Sequence, residues 1–217
     1  MNEFTLWDIV RNLLWAVPWT LLLSAMAFAG GGIVGLALLV VGLGRYKWAR
    51  LAVRLYIELF QSTPLLMQLF LVYFGLPMLG IDVSAWLAAV SCLTLYSSAF
   101  LADIWRGSVE AIPHGQWEGS ASLGLHYFSQ LRLVILPQAT RMAIPPTVGF
   151  LVQLVKSTAL ASIVGYRELT KTAQILTNAT FQPFVIFGLV ALMYFLICYP
   201  LTRWSRGLER RLAKDMR

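Results

Sequence analysis

The chain has 217 residues, of which 59% are hydrophobic and 12% charged, and a mean hydropathy of +0.71. That is too apolar for an ordinary soluble domain of this length, so lipid must form part of its solvent. The formal net charge of +7 does not signal nucleic acid, because Lys and Arg gather between apolar runs and in the tail rather than on an aromatic-interleaved basic face.

Glu3 and Asp8 precede the first apolar run, with no basic region and no small-residue cleavage site. The first helix is therefore expected to be retained, with residues 1–12 as a short extracytoplasmic segment. From Asn12 to Gly44 no residue is charged, which predicts a first span near 13–42, long enough to tilt or to include an interfacial turn. Within it Ala27, Gly31 and Gly35 stand four apart, a small-residue stripe that lets helices approach closely. A loop with Arg45, Lys47, Arg50 and Arg54 leads to a second run near 55–79, interrupted by Ser62, Thr63 and Pro64. A third run near 84–105 contains Cys92. Residues 106–132 form the longest internal polar stretch. A fourth run near 133–155 carries Pro137, Pro145 and Pro146 and should be kinked or discontinuous. Mixed polarity over 156–183 precedes a fifth run near 184–202, which contains Cys198. Neither cysteine has metal-type spacing, which argues against a disulfide framework or a zinc site.

Cations number four in the first loop, none in the second, three each in the third and fourth, and six in the tail. The positive-inside rule then puts the N-terminus outside and the C-terminus in the cytoplasm, with the fourth loop ambiguous. The tail from Arg203 to Arg217, with Trp204 and Leu208, reads as an interfacial basic helix. Its last part, 207–217, forms a basic cytoplasmic tail.

In the polar stretch, Gly115-Gln116-Trp117-Glu118-Gly119-Ser120-Ala121-Ser122-Leu123-Gly124-Leu125 reads as a short helix that starts near Pro113 and is capped by Gly124. Another helix should follow at once. Ser62-Thr63-Pro64 has two readings: the hydroxyls re-satisfy a carbonyl freed by proline, or they meet a polar substrate. Lys156-Ser157-Thr158 could receive a carboxylate, or Lys156 could snorkel to the headgroups. Asp103 and Arg106, three apart, should pair. His114 and His126 form no metal or nucleophile pattern. Gly30-Gly31-Gly32 lacks the Gly-Lys-Ser/Thr ending of a nucleotide loop.

Ser62-Thr63-Pro64-Leu65-Leu66, Gly115-Gln116-Trp117-Glu118, Leu123-Gly124-Leu125, Ile135-Leu136-Pro137-Gln138-Ala139, Lys156-Ser157-Thr158-Ala159-Leu160 and Glu168-Leu169 together resemble the histidine/glutamine-type polar amino-acid permeases of ABC importers. The resemblance covers nearly the whole chain. It implies an all-α membrane protein of about five transmembrane helices with the MetI-like permease fold, multi-pass in a bacterial cytoplasmic (inner) membrane. The permease domain would span 13–206, with a cytoplasmic coupling loop near 110–137. It further implies an identical or homologous second permease, two ABC ATPases, an extracytoplasmic substrate-binding protein and a polar amino acid as substrate. The chain itself would be no enzyme and hold no cofactor, ATP and magnesium being handled by the ATPases. Glu118, Gly119, Ser120, Ala121 and Gly124 would contact the ATPase, and Gln61, Ser62, Thr63, Pro64, Lys156, Ser157 and Thr158 would line the pathway.

The chain departs from that family at Gln61-Ser62, where Arg-Gly is usual, at Gly119-Ser120, where Ala-Ala is usual, and at Ser157, where an acidic residue is usual. Lacking that acid, the cavity should suit a cationic side chain less and a neutral or acidic one more. Equally, the chain could pair with a different permease that carries the complete site. Two rivals differ in class. A membrane-embedded enzyme would use Asp103, His114 and Glu118, which match no nucleophile, base or metal pattern. A secondary transporter should show internal repeats, yet the sequences flanking the breaks near 64 and 145 do not repeat.

Overall fold

The structure, a computed structural model, describes residues 5–215. The first four residues of the expected extracytoplasmic segment, and Met216 and Arg217 of the tail, lie outside the described residues. Eight helices follow in order: α1 (Leu6–Gly42), α2 (Lys47–Ser62), α3 (Leu65–Met78), α4 (Ala85–Glu110), α5 (His114–Ser122), α6 (Tyr127–Ser162), α7 (Leu169–Thr180) and α8 (Pro183–Asp215).

Helix α1 begins about two turns before the apolar run because Thr5 and Asp8 cap it reciprocally. Thr5 Oγ1 accepts from the Asp8 N–H, and Asp8 Oδ2 accepts from the Thr5 N–H, both at 3.2 Å. Its small-residue stripe is packing against α4. A Cβ on Gly31 would come 2.4 Å from Ser97 Cβ, and one on Gly35 would come 3.1 Å from the Ser98 carbonyl oxygen. Ser97 turns its hydroxyl back to the Leu93 carbonyl at 2.6 Å, so the seam stays apolar.

Among the described residues four helices, α1, α4, α6 and α8, are long and apolar enough to cross a membrane. A fifth span exists only if α2 and α3 count as one, and they are bent by 102° at Thr63-Pro64. The second apolar run, 55–79, is thus interrupted where Ser62-Thr63-Pro64 stand, as a broken fifth span or a re-entrant turn. Val53 and Ile57 of α2 pack on Leu38 of α1 and Ala102 of α4, close to the ends of those helices. Leu65 and Leu69 of α3 instead reach Cys92, ten residues back along α4, or roughly 15 Å. Helix α2 thus lies across the bundle near the end that carries α5, and α3 climbs away from that end alongside α4.

Of the kink or break expected from the prolines of the fourth run, no break occurs at Pro145-Pro146. The helical path is unbroken from Leu136 to Ser157, and Ser205 of α8 donates to the Pro145 carbonyl at 3.0 Å beside the bare face of Gly149. The irregular turns lie elsewhere. Wide π turns at Leu71–Gly75 and Leu131–Ile135 each stand just before a Leu-Pro pair, Leu76-Pro77 and Leu136-Pro137. A proline ring crowds the carbonyl four residues back, and widening the turn moves that carbonyl aside. At the second site the Leu136 N–H donates to the Leu131 carbonyl, five residues back.

The main core joins α1, α4 and α6 through Leu23, Leu93, Leu101, Phe150 and Leu154. A second core, Ile9, Leu13, Leu169, Ala173, Ile186 and Val190, tucks short α7 between α1 and α8 at the opposite end from α5. Helix α8 continues without interruption through the expected tail to Asp215.

Candidate functional site

Helix α5 has one anchored face and one open face. On the anchored side Trp117 stacks on Tyr127, with centroids 6.0 Å apart, and joins Val109, Ile112, Ile135 and Ala139. Gln138 Nε2 of α6 donates to Gln116 Oε1 at 3.1 Å. Ser120 belongs to this side: it is buried, and its hydroxyl donates to the Trp117 carbonyl at 2.9 Å. Glu118, Gly119, Ala121 and Gly124 are exposed, and a Cβ on Gly115, Gly119 or Gly124 would touch nothing.

The C-terminal stop of α5 is a Schellman motif. Gly124 sits at φ +76°, its N–H donates to the Ala121 carbonyl at 2.9 Å, and the Leu125 N–H donates to the Ser120 carbonyl at 3.3 Å. Pro113 takes the N-cap position rather than the first helical one, and a helix does follow at once, capped at His126.

At the α2–α3 corner, Pro64 has no N–H for the Phe60 carbonyl, and Gln68 Nε2 supplies one at 3.0 Å. The same nitrogen reaches the Thr63 carbonyl at 3.1 Å and Thr63 Oγ1 at 2.8 Å, while that hydroxyl donates to the Leu59 carbonyl at 2.7 Å. Of the two readings of Thr63, the hydroxyl's bonds here are the structural one. Gln61, Ser62, Thr63 and Pro64 are all exposed. Gln61 Nε2 donates to Asp103 Oδ2 at 3.1 Å, and Asp103 Oδ1 accepts from Arg106 Nη2 at 2.7 Å. The expected Asp103–Arg106 pair therefore forms, and Arg106 Nη1 adds Glu110 Oε1 at 3.2 Å.

Ser157 and Leu65 share one crevice with Leu69, Cys92, Leu93, Leu160 and Ala161, too narrow for a water molecule. The corner and the end of α6 are thus brought together. Thr158 is buried and donates to the Val155 carbonyl at 2.7 Å, and Ser157 donates to the Gln153 carbonyl at 3.0 Å. Lys156 is exposed. Its neighbour Ser157 meets α4 at Cys92, seven residues or about 10 Å inside the start of that helix. A cation at that depth needs water or a charged partner beside it.

Sequence reasoning missed the polar knot around Glu168. This side chain is fully buried in the connector between α6 and α7, outside the apolar spans. Oε1 caps α7 by accepting from the Lys171 N–H at 2.8 Å, and Oε2 accepts from Tyr194 Oη of α8 at 3.0 Å. Thr20 Oγ1 of α1 lies 3.5 Å from Oε2 and accepts from the Leu169 N–H at 3.1 Å. Burial pushes the carboxyl above its ordinary range, and the donors at its oxygens pull it back only in part. A lone acid opening a helix is a capping signal. Gln68 carried a signal too, as an isolated amide four residues after Pro64.

Residues 27–214 match the family described as binding-protein-dependent transport system inner membrane component. The chain is 33% identical to the histidine/lysine/arginine/ornithine transport system permease protein HisM of Salmonella typhimurium, over 93% of each chain. It is 31% identical to the L-cystine transport system permease protein TcyB of Bacillus subtilis, over 96% of this chain and 92% of the relative. A solved amino-acid ABC transporter crystallised with histidines superposes with a TM-score of 0.89 at 32% identity, over 93% of this chain and 94% of the other. The inward-facing MetNI methionine ABC transporter shares the fold, with a TM-score of 0.71 at 23% identity over 98% and 99%. With its membrane-spanning helices and a match over most of its length, the chain belongs to the binding-protein-dependent inner-membrane transport components, as a permease subunit of an amino-acid ABC importer.

Proposed function

We propose that this subunit pairs with a second permease, identical or homologous, to line one pathway for a polar amino acid delivered by an extracytoplasmic binding protein. Two cytoplasmic ATPases hold ATP and magnesium and receive the open face of α5 through Glu118, Gly119, Ala121 and Gly124. Ser120 holds that face in place from behind. The observation that carries this reading is the two-sidedness of α5: its Trp117 and Ser120 side is locked to α6, while its other side is polar, glycine-bearing and uncovered.

The α5 end is assigned to the cytoplasm. The first loop, the end of α4, the start of α6 and the last part of α8 all converge there, and they carry most of the cations. The start of α1 then lies outside. In the pathway, Thr63, Ser157 and Thr158 shape the wall, because their hydroxyls are bonded to their own backbone. Lys156 is the group that receives the substrate carboxylate, with Gln61, Ser62 and Pro64 at the corner below. Ser157, lacking a negative charge, leaves the site suited to a neutral or acidic side chain.

The test is Glu118→Lys in the assembled importer in proteoliposomes. Charge reversal on the open face should abolish ATPase stimulation by loaded binding protein while leaving basal hydrolysis in place. Unaltered stimulation would remove α5 from the coupling role.

A further inference from the structure

Helix α2 has three faces, resolved by placing its residues about 100° apart around the axis. Val53 and Ile57 form the face packed on α1 and α4. Lys47, Arg50 and Arg54 share a second face, with Glu58 as its one acid at the edge towards Leu51; all four are exposed, and among the described residues none of them makes an ion pair. Leu51, Leu55 and Leu59, spaced by four, form a third with Trp48. These four are 46%, 56%, 59% and 84% exposed. Just before the helix, Arg45 lies over the Tyr46 ring, 4.9 Å from its centroid.

We infer that α2 is an interfacial helix that binds anionic phospholipid headgroups of the leaflet on the α5 side. Val53, Tyr56 and Gln61 all meet α4 between Leu95 and Asp103, so α2 crosses α4 instead of running along it, the attitude in which an apolar strip can dip into acyl chains while a neighbouring cationic strip meets headgroups. Trp48 and Tyr46 at its start are the residue types that anchor at that depth. A soluble partner would leave the Leu51, Leu55, Leu59 strip facing water. A two-fold contact with a second copy through the cationic strip would set Lys47, Arg50 and Arg54 against the same cations. Negative headgroups satisfy both strips at once, and each cation contributes about fivefold to attraction at an anionic surface. This inference concerns lipid alone and stands whatever the substrate.

The experiment uses the importer with its partner subunits in nanodiscs of phosphatidylethanolamine with added phosphatidylglycerol. Retained phosphatidylglycerol is counted by native mass spectrometry. Lys47→Gln/Arg50→Gln/Arg54→Gln should weaken retention roughly 100-fold, and Arg203→Gln/Arg206→Gln on α8 should leave the α2-dependent part intact. Equal retention by the triple variant and the unaltered chain would overturn the inference. A photo-reactive residue at Leu55 in the otherwise native chain covers the case of a variant that fails to assemble. Crosslinks to phospholipid support the inference, and crosslinks chiefly to the second permease or the ATPase overturn it.

Discussion

Gln61, the penultimate residue of α2, donates to Asp103 of α4 at 3.1 Å, so the corner is tied to the half of α4 nearer α5 by a neutral donor and a carboxylate. Asp103 also holds Arg106, which holds Glu110, the last residue before the α5 loop. The cluster is about one-third exposed at Asp103 and Arg106, so screening limits its worth. A double-mutant cycle of Gln61→Ala and Asp103→Ala, read by thermal unfolding in detergent, should return a coupling of about 1 kcal/mol. Gln61→Arg, which restores the residue usual in the family, should raise stability slightly by converting the bond into an ion pair. An additive cycle would mean that the corner is held by Gln68 and apolar packing alone.

Glu168 joins α1, α7 and α8 through its two oxygens. Glu168→Ala removes a helix cap and leaves Tyr194 Oη with Thr170 Oγ1, 3.2 Å away, and it should cost roughly 2–4 kcal/mol. Glu168→Gln keeps an acceptor for the Lys171 N–H and no longer buries a charge, so it should lose about 1 kcal/mol or less. Tyr194→Phe should fall between them. Melting temperatures of the three variants in one detergent give the order, and equal losses for Gln and Ala would show that the cap matters little.

The spans were legible because runs of apolar residues near membrane length have few other uses, and α4, α6 and α8 fall where hydropathy puts them. Thr63-Pro64 marked the corner, but its angle depends on Val53 meeting Ala102 while Leu69 meets Cys92, contacts between distant positions that no local pattern encodes. The proline pair at 145–146 signalled a kink or a break, and only the break is absent, since a proline inside a helix removes a hydrogen bond without having to end the helical path. The stop of α5 was legible because a left-handed turn after a helix demands glycine. The knot at Glu168 was not, as Thr20 lies 148 residues away and Tyr194 lies 26 away.

Thr63 and Lys156 should fail differently when replaced. Thr63→Val deletes the hydroxyl that serves the Leu59 carbonyl and Gln68, so the expected loss is about 1–2 kcal/mol in stability, with KM for uptake nearly unchanged. Lys156→Ala leaves the fold alone, since the side chain is exposed, and should raise KM roughly 10- to 100-fold by removing a charged partner of the substrate carboxylate. Uptake kinetics and melting curves on the same two proteins separate the outcomes. A normal KM for Lys156→Ala would take Lys156 out of the pathway.

Two glycines on the open face of α5 should respond in opposite directions to the same change. Gly119 is inside the helix with open space around it, so Gly119→Ala should add up to about 1 kcal/mol of stability. Stimulated hydrolysis should persist, because alanine is usual there in the family. Gly124 holds φ +76°, where a Cβ costs about 1–2 kcal/mol although no neighbour is near. Gly124→Ala should therefore lower the melting temperature and loosen the Schellman bonds from Gly124 to Ala121 and from Leu125 to Ser120. Those bonds aim α5, so stimulated ATPase activity should drop with them, and Gly124→Asn, better tolerated in that conformation, should recover part of both. If Gly124→Ala lost stability but kept full stimulation, the aim of α5 would not depend on its stop.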